Sequence, residues 1–221
     1  MATEATTGPT GHRTAQAAVA DMLRRQVLAG EIPAGARLLQ AEVAERFQTS
    51  TTPVREAMRQ LVSEGILDGD PHKGVIVHEL SLPELEEIYD LRLHLEPLAV
   101  EATVANITAE ELLAAGSLLD AMERQHDPAL WTELNTRFHA LLAQAGRRPR
   151  LAAILSNLRN LSALYIVQSI REMPDRIDVG NAEHRRLLEA CAARDVSAAR
   201  DIEREHLRHT LEIGGRQLAG G

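Results

Sequence analysis

The segment TTPVREAMRQLVSEGIL (residues 51–67) contains signals for both ends of a single helix. Thr52 is a suitable N-cap, and Pro53 would occupy the first helical position, where its missing N–H has no partner to lose. Gly65 marks the end, because glycine readily adopts the left-handed conformation that closes a helix. Apolar residues recur at helical spacing and form the inner face: Val54, Ala57, Met58, Leu61 and Val62. The segment therefore predicts a short amphipathic helix with a polar outer face.

The sequence on either side of this helix predicts the other pieces of a small domain. They are an amphipathic helix in residues 14–32, an extended piece in 36–39, a short helix in 40–47, and two strands around an Asp-Pro-His-Lys-Gly turn in 66–80. Helix, short helix, turn, helix and hairpin, in this order, is the layout of a winged helix-turn-helix domain. We place this domain at residues 13–80.

Nearly all of the sequence after the hairpin predicts helix, with capping boxes at Ser81–Glu84 and Thr108–Glu111. About six helices follow one another without a strand signal, which favours an antiparallel helical bundle over residues 81–213. The predicted fold class is therefore mainly α, with an N-terminal winged helix-turn-helix joined to this bundle. The polar and glycine-rich ends predict a disordered tail at 1–12 and a flexible tail at 214–221.

Composition restricts the function classes open to this 221-residue chain. The formal net charge is −8, so a DNA-binding function needs local geometry rather than a general attraction to nucleic acid. The single cysteine, Cys191, excludes an internal disulfide and suits a reducing compartment. No apolar run approaches the roughly 18 residues of a membrane span, and no signal-peptide core precedes the first helix. We therefore expect a cytoplasmic protein without a membrane partner.

Two arginines and the hairpin turn form the candidate DNA-contact surface. Arg55 and Arg59 lie four residues apart on the outer face of the second helix of the turn motif, which is the face that enters the major groove. An arginine can hold a guanine or a phosphate through two N–H groups. The predicted contacts also include residues at the helix start and at the hairpin tip: Thr51, Thr52, His72, Lys73 and Gly74. The alternative is an ordinary solvated helix face with surface arginines.

Three stretches, EIPAGARLL, TPVREAM and PHKGVIV, resemble the N-terminal domain of GntR-type bacterial transcription regulators. The resemblance covers about residues 13–79, and TPVREA stands unchanged from the usual family pattern. It implies DNA contacts at six positions: Arg37, Arg55, Arg59, His72, Lys73 and Gly74. This sequence departs from the pattern at Ala34, where proline is usual, and at Thr51, where arginine is usual. The second departure removes one strong phosphate or base contact.

Three histidines and an asparagine form the candidate metal site. Asn135 and His139 are four residues apart beside the apolar face of one predicted helix, and His184 and His206 lie on the apolar faces of two later helices. A bundle can bring such residues together, and a shared divalent metal would satisfy their nitrogens. Three separate core histidines, each hydrogen-bonded to protein groups, are the alternative, and the spacing alone does not decide between the two.

Residues 85–210 resemble the all-helical ligand domain of the FadR subgroup of GntR regulators, through the motifs LRLHLEPLAVEA, NTRFHALL, AEHRRLLEACAARD and REHL. The resemblance implies four ligands for a divalent metal: Asn135, His139, His184 and His206. Asparagine replaces the aspartate that is common in the family, so the site has one negative charge fewer. Three imidazole ligands favour Zn²⁺ or Ni²⁺ over Mg²⁺ or Ca²⁺.

The same resemblance implies that a small organic acid binds on or beside the metal. Arg92, in the first helix of the bundle, could pair with the carboxylate of this effector. Glu96 lies one helical turn later and is an equally available partner for Arg92. The sequence therefore leaves two roles open for this arginine.

Together these features predict an effector-responsive transcription regulator that binds a palindromic operator in double-stranded DNA. A homodimer is expected, because one winged helix covers only one half-site. Repression is the working expectation, although the sequence does not distinguish it from activation. Two other classes are a metal-dependent helical enzyme with a DNA-binding-like head and an interaction scaffold with core histidines. No nucleophile motif or phosphate-binding loop supports the enzyme.

Overall fold

The computed structural model describes residues 15–79 and 81–220, which form a winged head (residues 15–79) and a helical domain (residues 81–220). The elements of the head are α1 (Ala15–Leu28), β1 (Arg37–Leu38), α2 (Gln40–Arg46), α3 (Thr51–Ser63), β2 (Leu67–Asp70) and β3 (Gly74–Val77). Those of the helical domain are α4 (Leu82–Asn106), α5 (Ala109–Glu123), α6 (Pro128–Ala145), α7 (Pro149–Glu172), α8 (Arg176–Ala192) and α9 (Val196–Gly220). The predicted fold class is confirmed, while the tail predicted at 1–12 lies outside the described residues.

The head has the three-stranded sheet expected of a winged helix-turn-helix. Strand β3 lies between β1 and β2 and pairs antiparallel with both. Asp70 pairs with Gly74, so the turn between them projects from the sheet as the wing. Gly74 has a φ of +100°, and a Cβ at this position would lie only 2.8 Å from Leu39 Cδ2. Glycine at the base of the wing therefore allows both the turn and the close approach of β1.

Helix α3 ends before Gly65 as predicted, but Thr52 is not its N-cap. The helix already begins at Thr51, and Ser50 occupies the cap position in an extended conformation without a side-chain hydrogen bond. Gly65 has a φ of +73°, and a Cβ there would lie 1.9 Å from Leu161 Cδ2 of α7. Glycine is thus required both by the turn and by the close approach of the helical domain.

The two predicted capping boxes of the helical domain have different outcomes. At the start of α5, Thr108 Oγ1 accepts from Glu111 N at 3.2 Å, and the Glu111 carboxylate accepts from Thr108 N at 3.0 Å. The box at Ser81–Glu84 is wrong, because the Ser81 side chain makes no cap hydrogen bond. The Glu84 carboxylate instead accepts a hydrogen bond from the hydroxyl of Tyr165 in α7. A tertiary contact has replaced the local one.

The last helix is longer than the sequence predicts. Residues 214–220, predicted to be part of a flexible tail, continue α9 as far as Gly220. Gly214 lies against α4, where a Cβ would be 3.0 Å from Leu85 Cδ2, so its small size allows the two long helices to pack closely. In the described part of the chain, every helix is too short or too polar to cross a lipid bilayer.

Helix α7 contributes side chains to the cores of both parts of the molecule. Ala163, Leu164 and Val167 pack with the buried apolar residues of the head. Ile170, one turn later, packs in the core of the helical domain. The two parts are therefore joined by a continuous apolar contact as well as by the chain itself.

His78 forms a polar bridge between the wing and α4. Its Nδ1 lies 2.8 Å from Asp68 Oδ2 in β2, and its Nε2 lies 2.7 Å from Glu84 Oε2 in α4. Burial disfavours the charged ring, but the two carboxylates outweigh this effect, so the pKa of His78 is raised above its ordinary value. When the ring is protonated, it forms ion pairs with both parts of the molecule.

We expect this bridge to make the free energy of unfolding depend on pH. Because the folded-state pKa of His78 is raised, its contribution is fully present below the unfolded-state pKa of about 6.5 and is lost as the pH rises through the folded-state value. The contribution is on the order of 1 kcal/mol or less, since half of the Asp68 side chain is exposed. Urea unfolding of the wild type and His78→Gln should give a difference that shrinks with rising pH. If the difference in the free energy of unfolding does not depend on pH, the protonated His78 ring does not form the proposed ion pairs.

Candidate metal centre and DNA-contact surface

The predicted DNA contacts on α3, β1 and the wing converge on one surface of the head. Arg55 and Arg59 lie on the outer side of α3, and Arg59 Nη2 is 3.0 Å from His72 Nε2 in the wing. Arg37 Nη2 donates to the carbonyl oxygen of Lys73 at 3.0 Å, which connects β1 to the wing tip. The structure therefore presents the predicted basic side chains together.

The first turn of α3 and the wing tip complete this surface. Thr51 and Thr52 are exposed in the first turn of α3, where free backbone N–H groups can face a phosphate. His72 and Lys73 are exposed at the wing tip. The backbone N–H of His72 donates to Asp70 Oδ1 at 2.9 Å, and this bond fixes the turn. Both groups of side chains are accessible to a DNA duplex.

Three buried histidines meet where α6, α8 and α9 pack together. They are His139, His184 and His206, and each offers one ring nitrogen that lies within 4.8 Å of the nitrogens offered by the other two. The Nε2 atoms of His139 and His184 are 3.1 Å apart. Zinc–imidazole bonds are about 2.0–2.1 Å long, so small side-chain adjustments would let one ion contact all three rings.

Burial favours the neutral form of all three imidazoles. Burial lowers the pKa of His139 and of His184 well below the ordinary value, and neighbouring rings add to the effect. Burial also lowers the pKa of His206, although the Glu183 carboxylate opposes this change. Neutral imidazole is the form that binds a metal ion. The direction of these pKa shifts therefore favours the protonation state that a metal centre requires.

Asn135, the fourth predicted ligand, lies one helical turn before His139 on α6. Its side chain is buried, and its Oδ1 has no hydrogen-bond partner within the described part of the chain. Such an unpaired buried oxygen costs on the order of 1–3 kcal/mol, which a bound cation would relieve. Asn135 and His206 line the same small cavity of about 20 Å³. A donor set of three imidazoles and one amide oxygen fits Zn²⁺ or Ni²⁺.

Glu183 lies directly behind His206. Its Oε2 is 2.6 Å from His206 Nδ1, and its Oε1 is 2.8 Å from His209 Nδ1. Burial acts to raise the pKa of Glu183, but these hydrogen bonds and the nearby Arg176 guanidinium outweigh it and hold the pKa at about 2. A buried carboxylate therefore stands next to the candidate metal centre.

A second buried polar cluster lies beside the histidines and contains Arg92, Glu96 and Arg159. The Glu96 carboxylate accepts from Arg92 Nε and from Arg159 Nε, each at 3.1 Å. Arg159 Nη1 also donates to the carbonyl oxygen of His139 at 3.1 Å, which connects this cluster to the histidines. Of the two partners that the sequence left open for Arg92, an effector carboxylate and Glu96, the structure shows the pair with Glu96. The pair is buried rather than on the surface.

Arg92 and Arg176, like Arg200, each keep a buried N–H group without a hydrogen-bond partner among residues 15–79 and 81–220. In Arg92 and in Arg176 this group is Nη1, and the nearest carboxylate oxygen recorded for Arg176 Nη1 is 3.9 Å away on Glu183. Burial and the neighbouring Glu96 raise the pKa of the Glu203 carboxyl to about 8, so this acid does not neutralise them. The cluster therefore has unmatched donors that suit an anion.

Comparison with known families identifies the two parts of the chain. Residues 15–77 match the family described as bacterial regulatory proteins, gntR family, and residues 87–209 match the FCD domain. The chain belongs to the GntR family. It is a DNA-binding transcriptional regulator with an FCD effector domain, and it is not an enzyme.

Similar GntR regulators align over most of their length. YdhC of Bacillus subtilis (strain 168), an uncharacterized HTH-type transcriptional regulator, is 30% identical over 206 residues, or 88% of this chain and 91% of YdhC. The HTH-type transcriptional repressor GlaR of Escherichia coli (strain K12) is 28% identical over 214 residues, or 90% of this chain and 94% of GlaR. The solved structure of E. coli McbR/YncC is similar with a TM-score of 0.79 and 27% identity, covering 93% of this chain and 99% of that one.

In this GntR-family regulator, Arg176 and Glu183 are two buried residues near the candidate metal centre that were not predicted from the sequence. Arg176 begins α8, and nothing in its immediate sequence indicates that its guanidinium turns into the domain. Glu183 directly precedes His184 in the AEHRR motif, and this adjacency was the available signal. Its contact with His206 joins α8 to α9, so only the packing of the two helices reveals it.

Proposed function

We propose that this regulator binds a palindromic operator as a homodimer and responds to a small carboxylate that binds together with a divalent metal in the helical domain. The observation that carries the proposal is the convergence of His139, His184 and His206 beside Asn135, whose oxygen lacks a partner in the described residues. This cluster lies in a chain whose head has a winged helix-turn-helix structure. Binding to chromosomal DNA would place the protein in the cytoplasm, and the named repressor GlaR supports repression as the mode of action.

The metal would be held by the four predicted ligands, which are Asn135, His139, His184 and His206. Zn²⁺ and Ni²⁺ suit imidazole donors better than Mg²⁺ or Ca²⁺ do. A bound divalent ion would supply a fixed positive charge and, where a coordination position stays open, an attachment point for a carboxylate oxygen. The protein residues keep their own roles, because three neutral rings and one amide oxygen orient the ion without neutralising it.

The effector would be an anion because unpaired buried donors lie in the same domain as the histidines. Arg92 and Arg176 each offer a buried N–H without a partner among the described residues. The cavity that Arg176 lines measures only about 20 Å³, which is room for about one water molecule. An organic acid can therefore bind only if the surrounding helices move, and a ligand that requires such a movement can shift a conformational equilibrium.

A movement at the histidines can reach the head through α7. Arg159 on this helix donates to the carbonyl oxygen of His139. The next turns of the same helix carry Ala163, Leu164 and Val167, which pack into the head core. A shift of α6 caused by an effector would therefore act on the position of the head, and in a dimer on the spacing of two recognition helices.

An apolar stripe on α4 suits the proposed homodimer. Leu91 and Leu98 are 46% and 44% exposed, and Leu95 lies between them on the same face of the helix. A contiguous exposed apolar patch marks a candidate protein–protein contact. Two copies of α4 placed against each other across a two-fold axis would bury both stripes.

Placing charges on this stripe is expected to dissociate the dimer. The double variant Leu91→Glu/Leu98→Glu should elute as a monomer in size-exclusion chromatography with light scattering, because four carboxylates would face one another in each interface. Operator affinity should fall with it, since a monomer contacts one half-site only. Leu113→Glu is the matched control, because Leu113 is 75% exposed on α5 outside the stripe. If the double variant remains dimeric, this face of α4 is not the dimer interface.

Fluorescence anisotropy with labelled DNA from the region upstream of its own gene tests the whole proposal. Metal-free and zinc-loaded proteins are compared, each with and without a panel of small mono- and dicarboxylates. We expect a dimer to bind the DNA sequence-specifically. At least one acid should change the DNA affinity of the zinc-loaded protein but not that of the metal-free protein. Binding that no combination of metal and acid changes would refute the effector part, and absence of any sequence-specific binding would refute the proposal.

A further inference from the structure

Glu183 occupies a position that connects two helices behind the candidate metal centre. It is 6% exposed and lies on α8 next to His184 in sequence, yet its carboxylate is turned toward α9. One oxygen is 2.6 Å from Nδ1 of His206, and the other is 2.8 Å from Nδ1 of His209. The carboxylate is therefore held by two imidazoles that follow one another on the same face of α9.

This contact determines which nitrogen of His206 is available to a metal. A carboxylate accepts hydrogen bonds and cannot donate them, so the 2.6 Å contact places the proton of the neutral ring on Nδ1. The lone pair of the ring then lies on Nε2. A carboxylate behind a metal-binding histidine fixes the tautomer and the ring orientation and makes the nitrogen a better donor.

The charges around the histidines show why this carboxylate matters in this chain. None of the four candidate ligands can carry a negative charge, because three are histidines and asparagine rather than aspartate stands at position 135. Glu96 is already bound by Arg92 and Arg159, so its charge is matched twice over. Glu183 is the remaining carboxylate in hydrogen-bonding contact with a candidate ligand, within the part of the chain that the structure describes.

We infer that Glu183 is the positioning residue of the metal centre, and that it supplies from behind His206 the negative charge that Asn135 does not supply as a ligand. This inference rests on the proposed metal centre. Glu183 does not touch the ion; it acts through His206. His209, half of whose side chain is exposed, holds the other carboxylate oxygen and so keeps Glu183 aimed at His206.

Zinc titration of the metal-free, full-length protein in competition with a chelating dye tests the inference. Glu183→Gln keeps the size of the side chain and removes its charge, and it should bind Zn²⁺ about 10- to 100-fold more weakly than the wild type. Adding Asn135→Asp to this variant should recover most of the loss, because it returns one negative charge to the centre. Glu189→Gln, which changes an exposed glutamate on the same helix, is the matched control and should bind zinc as the wild type does.

A role in folding alone would give a different pattern. Rescue by Asn135→Asp distinguishes an electrostatic role of Glu183 from a folding role, since a charge at position 135 would not repair a packing defect on α8. Long-range ¹H–¹⁵N NMR of the metal-free wild type provides a test without any variant, and it should show His206 protonated at Nδ1. Three results would each overturn the inference alone. They are equal zinc binding by Glu183→Gln and Glu189→Gln, a loss of affinity that Asn135→Asp does not recover, and a metal-free His206 that is protonated at Nε2. Absence of zinc binding by the wild type would overturn the proposed metal centre with it.

Discussion

Replacing His184 with alanine is expected to weaken Zn²⁺ binding by about 100-fold or more. Zinc sites in proteins contribute about 10–16 kcal/mol through four ligands, so each ligand accounts for roughly 3 kcal/mol, which corresponds to about two orders of magnitude in affinity. His184 is the most buried of the three rings and lies between the other two, with ring centroids 4.9 Å from His139 and 4.8 Å from His206. Its loss would remove one donor and leave His139 and His206, whose ring centroids are 5.7 Å apart.

Isothermal titration of the metal-free protein with Zn²⁺ and with Ni²⁺ measures this effect. His94→Ala is the matched control, because His94 is 76% exposed and its ring nitrogen contacts only the preceding turn of α4. Circular dichroism of both variants shows whether the helical content is retained. If His184→Ala and His94→Ala bind the metal equally well, the three histidines are core residues and the alternative interpretation of the sequence is correct.

The double variant Arg55→Ala/Arg59→Ala is expected to reduce operator affinity by about 100-fold or more, because each arginine that contacts a base or phosphate contributes about 1–3 kcal/mol. In the free protein both side chains lie near Glu56, with contacts of 3.4 Å and 3.2 Å. The first pair is half-buried and the second is exposed, and both contacts are long, so they compete little with DNA. The loss of both arginines should also make binding less dependent on salt, since fewer counterions are released.

Anisotropy titrations at several salt concentrations measure both quantities. Arg150→Ala on α7 is the matched control, because it removes the same charge from an exposed position in the helical domain. An unchanged salt dependence with lower affinity would mean that the two arginines contact bases rather than phosphates. An affinity equal to that of the Arg150→Ala control would show that α3 does not read the operator through these residues.

The parts of the fold that depend on neighbouring residues were predictable from the sequence. The end of α3 at Gly65 and the capping box of Thr108 and Glu111 involve residues within one or two turns of each other, and both are present. The box predicted at Ser81 failed because Glu84 found a partner 81 residues away in Tyr165. Sequence rules for helix caps consider only neighbouring residues, so they do not predict that a tertiary hydrogen bond replaces a local one when the helices pack.

The same distinction separates the predicted from the missed members of the metal centre. The histidines were identifiable because imidazoles on apolar helix faces need partners, whichever partners the fold provides. Arg176 and Glu183 are charged residues of ordinary types on a helix, and their burial could not be read from one helix alone. Their roles depend on the approach of α9, which brings Thr210 and His206 to them.

The position of α7 in both cores limits how far the two parts can be exchanged between relatives. A head cut at residue 80 would lose Ala163, Leu164 and Val167 from its own core, and Gly65 would face water instead of Leu161. A chimaera that joins this head to another helical domain would therefore have to keep this face of α7.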